Sequence, residues 1–321
     1  MSNTECIKVN LRKAAVIGCG FVGSSTAFAL MQSGLFSEIV LIDADADRAD
    51  GEALDISHGT PFARPMKIYA GSYQDLTDAA IIIITAGANQ KPDESRLDLV
   101  SKNTKIMRSI IGEIMKHGCE GILLIVSNPV DILTYEALKI SGLPKNRVIG
   151  SGTVLDTGRL KSELAEHLGV DSRSIHAFII GEHGDSEIAA FSSANVSGVP
   201  LNAVCEMRGY FHHEAAMQEI AETVKNSAYE IIEKKKATYY GIAMAVRRIC
   251  EAIVRDEKSI LPVSVMLDGI YGLKDIVLSM PAIIGANGAE GQMPITLSRT
   301  EQEQLKASAA LLKEIIEKID S

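Results

Sequence analysis

The chain has 321 residues, 46% hydrophobic and 23% charged, with a formal net charge of −9. That length supports one large domain or two, each with a sizeable core. An acidic balance without a basic stripe argues against nucleic acid and anionic membrane as partners. The five cysteines (Cys6, Cys19, Cys119, Cys205, Cys250) are odd in number and lack metal-ligand spacing, which fits a reduced intracellular protein with no metal site. The start, Met1 to Glu5, is polar and acidic, unlike a signal or transit peptide. The longest apolar runs, 79–88 and 122–126, are too short to span a bilayer, so a soluble, cytoplasmic protein is expected.

In chain order, short Ile/Val-rich runs predict strands at 13–17, 38–42, 67–70, 80–85, 121–126 and 147–149. Helical patterns fall between them at 22–33, 45–57, 97–117 and 131–141. In the third, Leu97, Val100, Thr104, Met107, Ile111 and Ile114 recur at spacings of three and four, which makes one buried face. Such alternation predicts an α/β fold with a doubly wound, mainly parallel sheet. Beyond Gly150 the pattern changes to α+β. A helix is expected at 156–168, strands at 175–180, 187–190 and 196–199, and long helices at 214–235 and 239–256. Strand-like runs at 259–267 and 276–284 flank a turn. The basic run Lys234-Lys235-Lys236 reads as a solvated helix face. The last helix opens at Ser298 with Glu301 three residues on, a capping-box pattern. The division expected is 1–150 and 151–321, closely packed.

Gly18-Cys19-Gly20-Phe21-Val22-Gly23 follows the first strand and opens the first helix. Gly18 and Gly20 permit a tight turn and close approach of a pyrophosphate, and Gly23 permits close helix–strand packing. Asp43, twenty residues beyond Gly23 at the end of the second strand, can bond both ribose hydroxyls of NAD and would repel the 2′-phosphate of NADP. The first half therefore reads as a Rossmann-type NAD-binding unit. Cys19 in this loop is either oxidisable or simply a small residue.

Polar clusters stand where other strands should end. Residues Gly87 to Arg96 form a polar loop with a glycine at its root, as a mobile lid would. Ser127-Asn128-Pro129 follows the next strand. Asp156 and Arg159 share one helix face, and Thr238 opens a helix. His183 ends an apolar run in Ile180-Gly181-Glu182-His183-Gly184-Asp185, where a buried strand would deliver a titratable imidazole to a pocket. Each has a plainer alternative: Asn128 or Asp156 as helix caps, Arg96 as a surface charge, His183 as a structural histidine.

In combination, Ala88-Asn89-Gln90-Lys91-Pro92, Ser127-Asn128-Pro129-Val130-Asp131, Gly150-Ser151-Gly152-Thr153, the His183 segment and Ala237-Thr238-Tyr239-Tyr240-Gly241-Ile242 resemble the bacterial L-lactate dehydrogenases of the lactate/malate dehydrogenase superfamily. The similarity runs from Lys13 to the terminal helix. It implies that Arg159 grips the carboxylate of a 2-oxo acid, while protonated His183 donates to its carbonyl oxygen. Asp156 would orient the imidazole and favour its charged form, and Arg96 would stabilise the developing alkoxide. Asn128 and Thr238 would help hold the substrate, with Ile242 backing the nicotinamide. The same resemblance implies cofactor contacts at Val22, Arg48, Tyr73, Gly87, Ala88, Ser109, Val126, Ser127, Asn128 and Ser151, and a homotetramer.

Malate dehydrogenases of the superfamily place Arg where this chain has Gln90. A neutral amide cannot compensate the second carboxylate of oxaloacetate in a closed pocket, so pyruvate is the expected substrate. Malate or a branched 2-hydroxy acid is the alternative within this class, and a non-catalytic dinucleotide sensor the alternative outside it. Relatives activated by fructose 1,6-bisphosphate carry Arg and His where this chain has Lys161 and His176. Lysine lacks the planar fork, so activation there is weakened, altered or lost. Asp93 replaces a common lid glycine, a change expected to stiffen the loop.

Overall fold

The computed structural model describes residues 9–88 and 96–320. Gln90 and Asp93 lie outside the described residues, as does the side chain of Arg96. Six strands, β1 (Asn10–Ile17), β2 (Glu38–Ile42), β3 (Lys67–Ala70), β4 (Ala79–Ile84), β5 (Ile122–Ile125) and β6 (Val148–Gly150), pair in parallel in the order β3-β2-β1-β4-β5-β6. All six residues of β4 are buried, which is why its sequence is an unbroken apolar run rather than an alternation. Helices α1 (Phe21–Ser33), α2 (Ala46–His58), α3 (Arg96–Lys116) and α4 (Val130–Ser141) connect the strands. Alternate residues of β1 face opposite layers: Ala14 and Val16 pack with Ala27 and Leu30 of α1, Ala15 and Ile17 with Met107 and Ile111 of α3. Strand order reverses between β1 and β4, so a crevice opens at their carboxyl ends, where ligands of doubly wound sheets bind.

After α5 (Val154–Leu168) come short strands β7 (Ile175–His176), β8 (Ile179–Ile180), β9 (Ile188–Ala189), β10 (Asn195–Val196) and β11 (Val199–Pro200). Then follow α6 (Leu201–Met207), α7 (Glu214–Lys235), α8 (Tyr240–Val254), β12 (Ser259–Asp268), β13 (Lys274–Gly285), β14 (Gly288–Gln292) and α9 (Arg299–Asp320). The expected strand at 175–180 is divided in two. Ile179 N–H donates to the Thr157 hydroxyl at 2.8 Å, and the chain changes partner from β10 to β9. The expected strand at 196–199 is a hairpin, because Ser197 (φ 50°) and Gly198 (φ 86°) turn the chain between β10 and β11. The helix expected from Tyr239 begins at Tyr240, so Thr238 precedes it rather than opening it. Helix α6 and strand β14 have no counterpart in the sequence reading; α6 is only seven residues long.

The antiparallel β12–β13–β14 unit does not form a separate sheet. Strand β12 pairs with β6 at Ser264 and Gly150, so one nine-stranded sheet continues across the change of pattern. Helix α9 has its capping box: Glu301 N–H donates to Ser298 Oγ at 3.2 Å, and Ser298 N–H to Glu301 Oε2 at 2.7 Å. Lys234, Lys235 and Lys236 are exposed at the end of α7, with Lys235 Nζ 3.6 Å from the centre of the Tyr239 ring.

Candidate active site

His183 stands three residues beyond β8, in a segment tied to three different elements. Gly181 exchanges both backbone hydrogen bonds with Ser279 of β13 at 2.9 Å. Glu182 N–H donates to Ser308 Oγ of α9 at 3.0 Å, and His183 N–H donates to Asp131 Oδ2 of α4 at 2.7 Å. Asp131 is 2% exposed and also accepts from Ser264 Oγ at 2.6 Å. A buried acceptor therefore fixes the backbone beneath the imidazole, while the ring itself stays 25% exposed. Burial pushes the Asp131 carboxyl up to about 6, against the pull of the Ser264 and His183 hydrogen bonds.

Asp156 lies in the first turn of α5 with Arg159 three residues on, so both side chains leave the same face. The carboxylate is 3% exposed and divided between two partners. Its Oδ2 is 2.6 Å from His183 Nδ1, and its Oδ1 accepts from Arg159 NH1 at 2.8 Å. Burial alone would draw the imidazole pKa down. The charge and hydrogen bond of Asp156, joined by Asp131 and Glu187, outweigh it and hold His183 up at about 9. For Asp156 burial opposes ionisation, but the charges and hydrogen bonds of His183 and Arg159 win and its pKa is lowered. The result at neutral pH is an imidazolium oriented by a carboxylate, beside a fixed guanidinium.

Glu187 completes this cluster. Its carboxyl, that of Asp156 and one imidazole nitrogen of His183 all lie within 4.8 Å of one another. One metal ion could span that distance. Both Asp156 oxygens are already engaged, however, and the adjacent guanidinium opposes a further cation. Burial and the neighbouring Asp156 push the Glu187 carboxyl up to about 8.

The glycine loop follows β1 directly. Gly18 has φ +101°, and a Cβ there would come within 2.5 Å of the Ala86 backbone; a Cβ on Gly23 would lie 1.8 Å from the Gly18 carbonyl. Gly20 is different, because a Cβ there meets nothing within 4 Å. It forms the N-cap of α1 without a side-chain cap, leaving the helix N-terminus open to an anion. Asp43 Oδ2 accepts from Cys19 N–H at 2.6 Å and its Oδ1 from Asp45 N–H at 2.9 Å, so this carboxylate ties the glycine loop to the end of β2. These residues fit a dinucleotide: an open cradle for pyrophosphate with an acid beside it. Burial pushes the Cys19 thiol up to about 12, so it packs as a small apolar group.

Only some of the remaining candidates follow the carboxyl ends of the parallel strands. Gly87 and Ala88 follow β4, Val126, Ser127 and Asn128 follow β5, and Ser151 follows β6. Val126, Ser127 and Ser151 are buried, and Ser127 Oγ donates to the Ala86 carbonyl at 2.6 Å. Arg48 is exposed and ion-paired with Asp45 at 3.8 Å. Tyr73 stacks on His117, and Ser109 is exposed on α3. Val22 and Ile242 pack, half-buried, against the core with Val154. Thr238 is half-buried between α7 and α8. Arg96 begins α3. Lys161 is half-buried on α5, where burial lowers its pKa, and His176 is exposed on β7.

Three residues here were given no role in the sequence reading. Asn103, on the buried side of α3, accepts from Ala88 N–H at 2.8 Å and donates to the Asn128 carbonyl at 2.9 Å, clamping the loops after β4 and β5 together. Asp131 and Glu187 are the others. A polar residue inside the apolar face of α3 was a usable clue to Asn103; the other two are apparent only once distant segments meet.

Family models described as the lactate/malate dehydrogenase NAD binding domain and the lactate/malate dehydrogenase alpha/beta C-terminal domain match residues 12–150 and 153–321. The chain is 54% identical to an L-lactate dehydrogenase of Acetivibrio thermocellus over 320 residues, covering 100% of both chains. It is 52% identical to L-lactate dehydrogenase 1 of Clostridium acetobutylicum, covering 96% of this chain and 98% of that one. Among solved structures, a ligand-bound minor L-lactate dehydrogenase from Enterococcus mundtii matches with a TM-score of 0.93 at 44% identity, covering 96% of this chain and 98% of that chain. A lactate dehydrogenase enzyme from a Medee basin deep-sea metagenome library matches with a TM-score of 0.94 at 44% identity, covering 97% and 99%. With both of its family models matched and relatives above half identity along its whole length, the chain belongs to the lactate/malate dehydrogenase family.

Proposed function

We propose that this protein is an NAD-dependent L-lactate dehydrogenase that interconverts pyruvate and L-lactate. The observation that carries the reading is the single carboxylate, Asp156, that joins an imidazolium to a guanidinium. A 2-oxo acid presents two features to be recognised, a planar carboxylate and an adjacent carbonyl, and the two cations are spaced by one acid to meet both. Arg159 binds the carboxylate with the N–H groups that Asp156 does not use. His183 holds the proton that passes to the carbonyl oxygen, and Asp156 keeps the ring upright and charged until it does. The bound nicotinamide supplies the hydride. Asp131 and Ser264 hold the backbone under the imidazole. Arg96 stabilises the alkoxide, Asn128 and Thr238 position the substrate, and Ile242 backs the nicotinamide.

NAD would be held along the open N-terminus of α1, with Gly18, Gly20 and Val22 against the pyrophosphate, Gly23 keeping the helix close beneath it and Asp43 on the ribose. Arg48, Tyr73, Gly87, Ala88, Ser109, Val126, Ser127 and Ser151 complete its contacts. Residues 1–150 form the cofactor unit and 151–321 the substrate unit. Gln90, a neutral amide, makes pyruvate preferred over oxaloacetate.

The subunit contacts that a homotetramer needs have a candidate surface in the apolar side chains left exposed around a cleft of about 470 Å³ between α1, α2 and α8, among them Phe28, Tyr240 and Met244. Lys161 and His176 are the candidate contacts for fructose 1,6-bisphosphate. No helix among the described residues is long and apolar enough to cross a membrane, and Cys19, Cys119, Cys205 and Cys250 are free thiols, in keeping with a cytoplasmic enzyme.

The test is NADH oxidation with pyruvate, oxaloacetate and a branched 2-oxo acid, each with and without fructose 1,6-bisphosphate. The expected result is the highest kcat/KM with pyruvate. A higher value with oxaloacetate would overturn the substrate assignment, and no response to the sugar phosphate would retire the Lys161/His176 site.

A further inference from the structure

The acid–base pair His183–Asp156 has a third ionisable neighbour that neither hydride transfer nor substrate binding requires. Glu187 follows the His183 segment, and its backbone N–H donates to the Gly184 carbonyl at 3.1 Å, closing the turn that brings its carboxyl back towards the imidazole. Its carboxyl, the Asp156 carboxylate and one imidazole nitrogen lie within 4.8 Å of one another. Glu187 Oε1 is buried with no hydrogen-bond partner among the described residues. A buried carboxyl oxygen left unpaired beside a carboxylate is costly as an anion, unless a cation stands within reach. On its other side Glu187 borders a cavity of about 400 Å³ lined by Ala221 and Lys225 of α7 and Gln304 and Ser308 of α9.

Charged and titratable groups face this carboxyl and the imidazole from each packed element. Asp156 and Arg159 come from α5, Asp131 from α4 and Lys225 from α7, while Glu222 of α7 and Asp185 of the His183 segment line the cavity that Glu187 borders. Among them only Glu187 combines an unpaired carboxyl oxygen with a place beside both members of the pair. Resting on the reading of His183 as the proton donor, we propose that Glu187 is a positioning residue that acts through His183: its carboxyl gains negative charge as pH rises and so keeps the imidazole protonated to higher pH than Asp156 and Asp131 alone would. Burial and Asp156 raise the Glu187 carboxyl above the ordinary carboxylate range, and the charge of His183 opposes that rise; in return the Glu187 charge is among the groups that raise His183.

The test compares the wild-type holoenzyme with E187Q and E187D between pH 6 and 10.5. One readout is kcat/KM for pyruvate with NADH. The other is equilibrium binding of oxamate, a non-reacting isostere of pyruvate, to the enzyme–NADH complex, which reports the imidazolium even in a variant with poor turnover. The descending limb of E187Q should lie lower than that of the wild type by about one unit in both readouts, the low end of the scale for one charge at this range. E187D, which keeps the charge, should lie closer to the wild type than E187Q does. Coincident limbs for E187Q and wild type overturn the proposal, as does an E187D limb displaced as far as that of E187Q. A wild type that does not reduce pyruvate overturns the functional reading and this proposal with it, whereas coincident limbs in an active enzyme leave that reading standing.

Discussion

The imidazole of His183 and the carboxylate of Asp156 meet at 2.6 Å, at a site where burial by itself would have discharged both. Each keeps its charge because of the other, so the proton needed for reduction is present at neutral pH. Pyruvate reduction should hold level through neutrality and fall as pH rises through about 9, whereas lactate oxidation should rise over the same range. The sign for stability follows from the raised value. The stabilisation from the imidazolium is complete below the ordinary histidine pKa and is lost as pH rises through about 9. D156N should move the reductive limb down towards the ordinary imidazole value and lower kcat by about 10²–10⁴. Rate profiles over pH for the two proteins check both points, and an unmoved limb would mean that Asp156 does not hold the charge.

Arg159 contributes one N–H to Asp156 and the rest of its fork to the substrate in the proposed mechanism. R159K keeps the charge but not the planar geometry. Loss of one charged hydrogen bond, about 1.5–3 kcal/mol, should raise KM for pyruvate by about 10- to 100-fold. Steady-state kinetics beside NADH affinity separates this from a general defect, since NADH binding should be retained.

The loop glycines predict opposite outcomes for one substitution. In G20A the new methyl meets no protein atom within 4 Å, so melting temperature should be retained while NADH affinity falls at least about tenfold, or ~1.4 kcal/mol. In G23A the methyl would stand 1.8 Å from the Gly18 carbonyl, so the fold must shift at a cost of about 1–3 kcal/mol. Calorimetry and NADH titration of both variants distinguish a ligand cradle from a packing contact.

Gln90 lies outside the described residues, and its role rests on charge balance. Q90R should raise the ratio of kcat/KM for oxaloacetate over pyruvate by about two orders of magnitude, because a buried carboxylate left uncompensated costs several kcal/mol. An unchanged ratio would place selectivity elsewhere.

The central strands of the parallel half were readable in the sequence because strands buried on both faces must be apolar throughout, and β2 falls where its Ile/Val run placed it. The catalytic half was less so. The run at 175–180 is uniformly apolar, yet its backbone changes partner midway because Thr157, on another element, captures the Ile179 N–H. The continuation of the sheet through β12 depends on one pairing between Ser264 and Gly150, which no local pattern encodes. Within the candidate site, Asp156 and Arg159 were legible by their helical spacing. Asp131 was not, since it reaches His183 across 52 positions and Ser264 across 133.

Turnover of H183N beside its NADH affinity measures most directly the proposed role of His183 as proton donor to pyruvate. Asparagine keeps a polar group at the site but cannot donate as an acid near neutral pH. NADH should bind H183N with wild-type affinity, followed by fluorescence titration, while pyruvate-dependent NADH oxidation falls by about 10²–10⁴. Wild-type turnover in H183N would contradict the account.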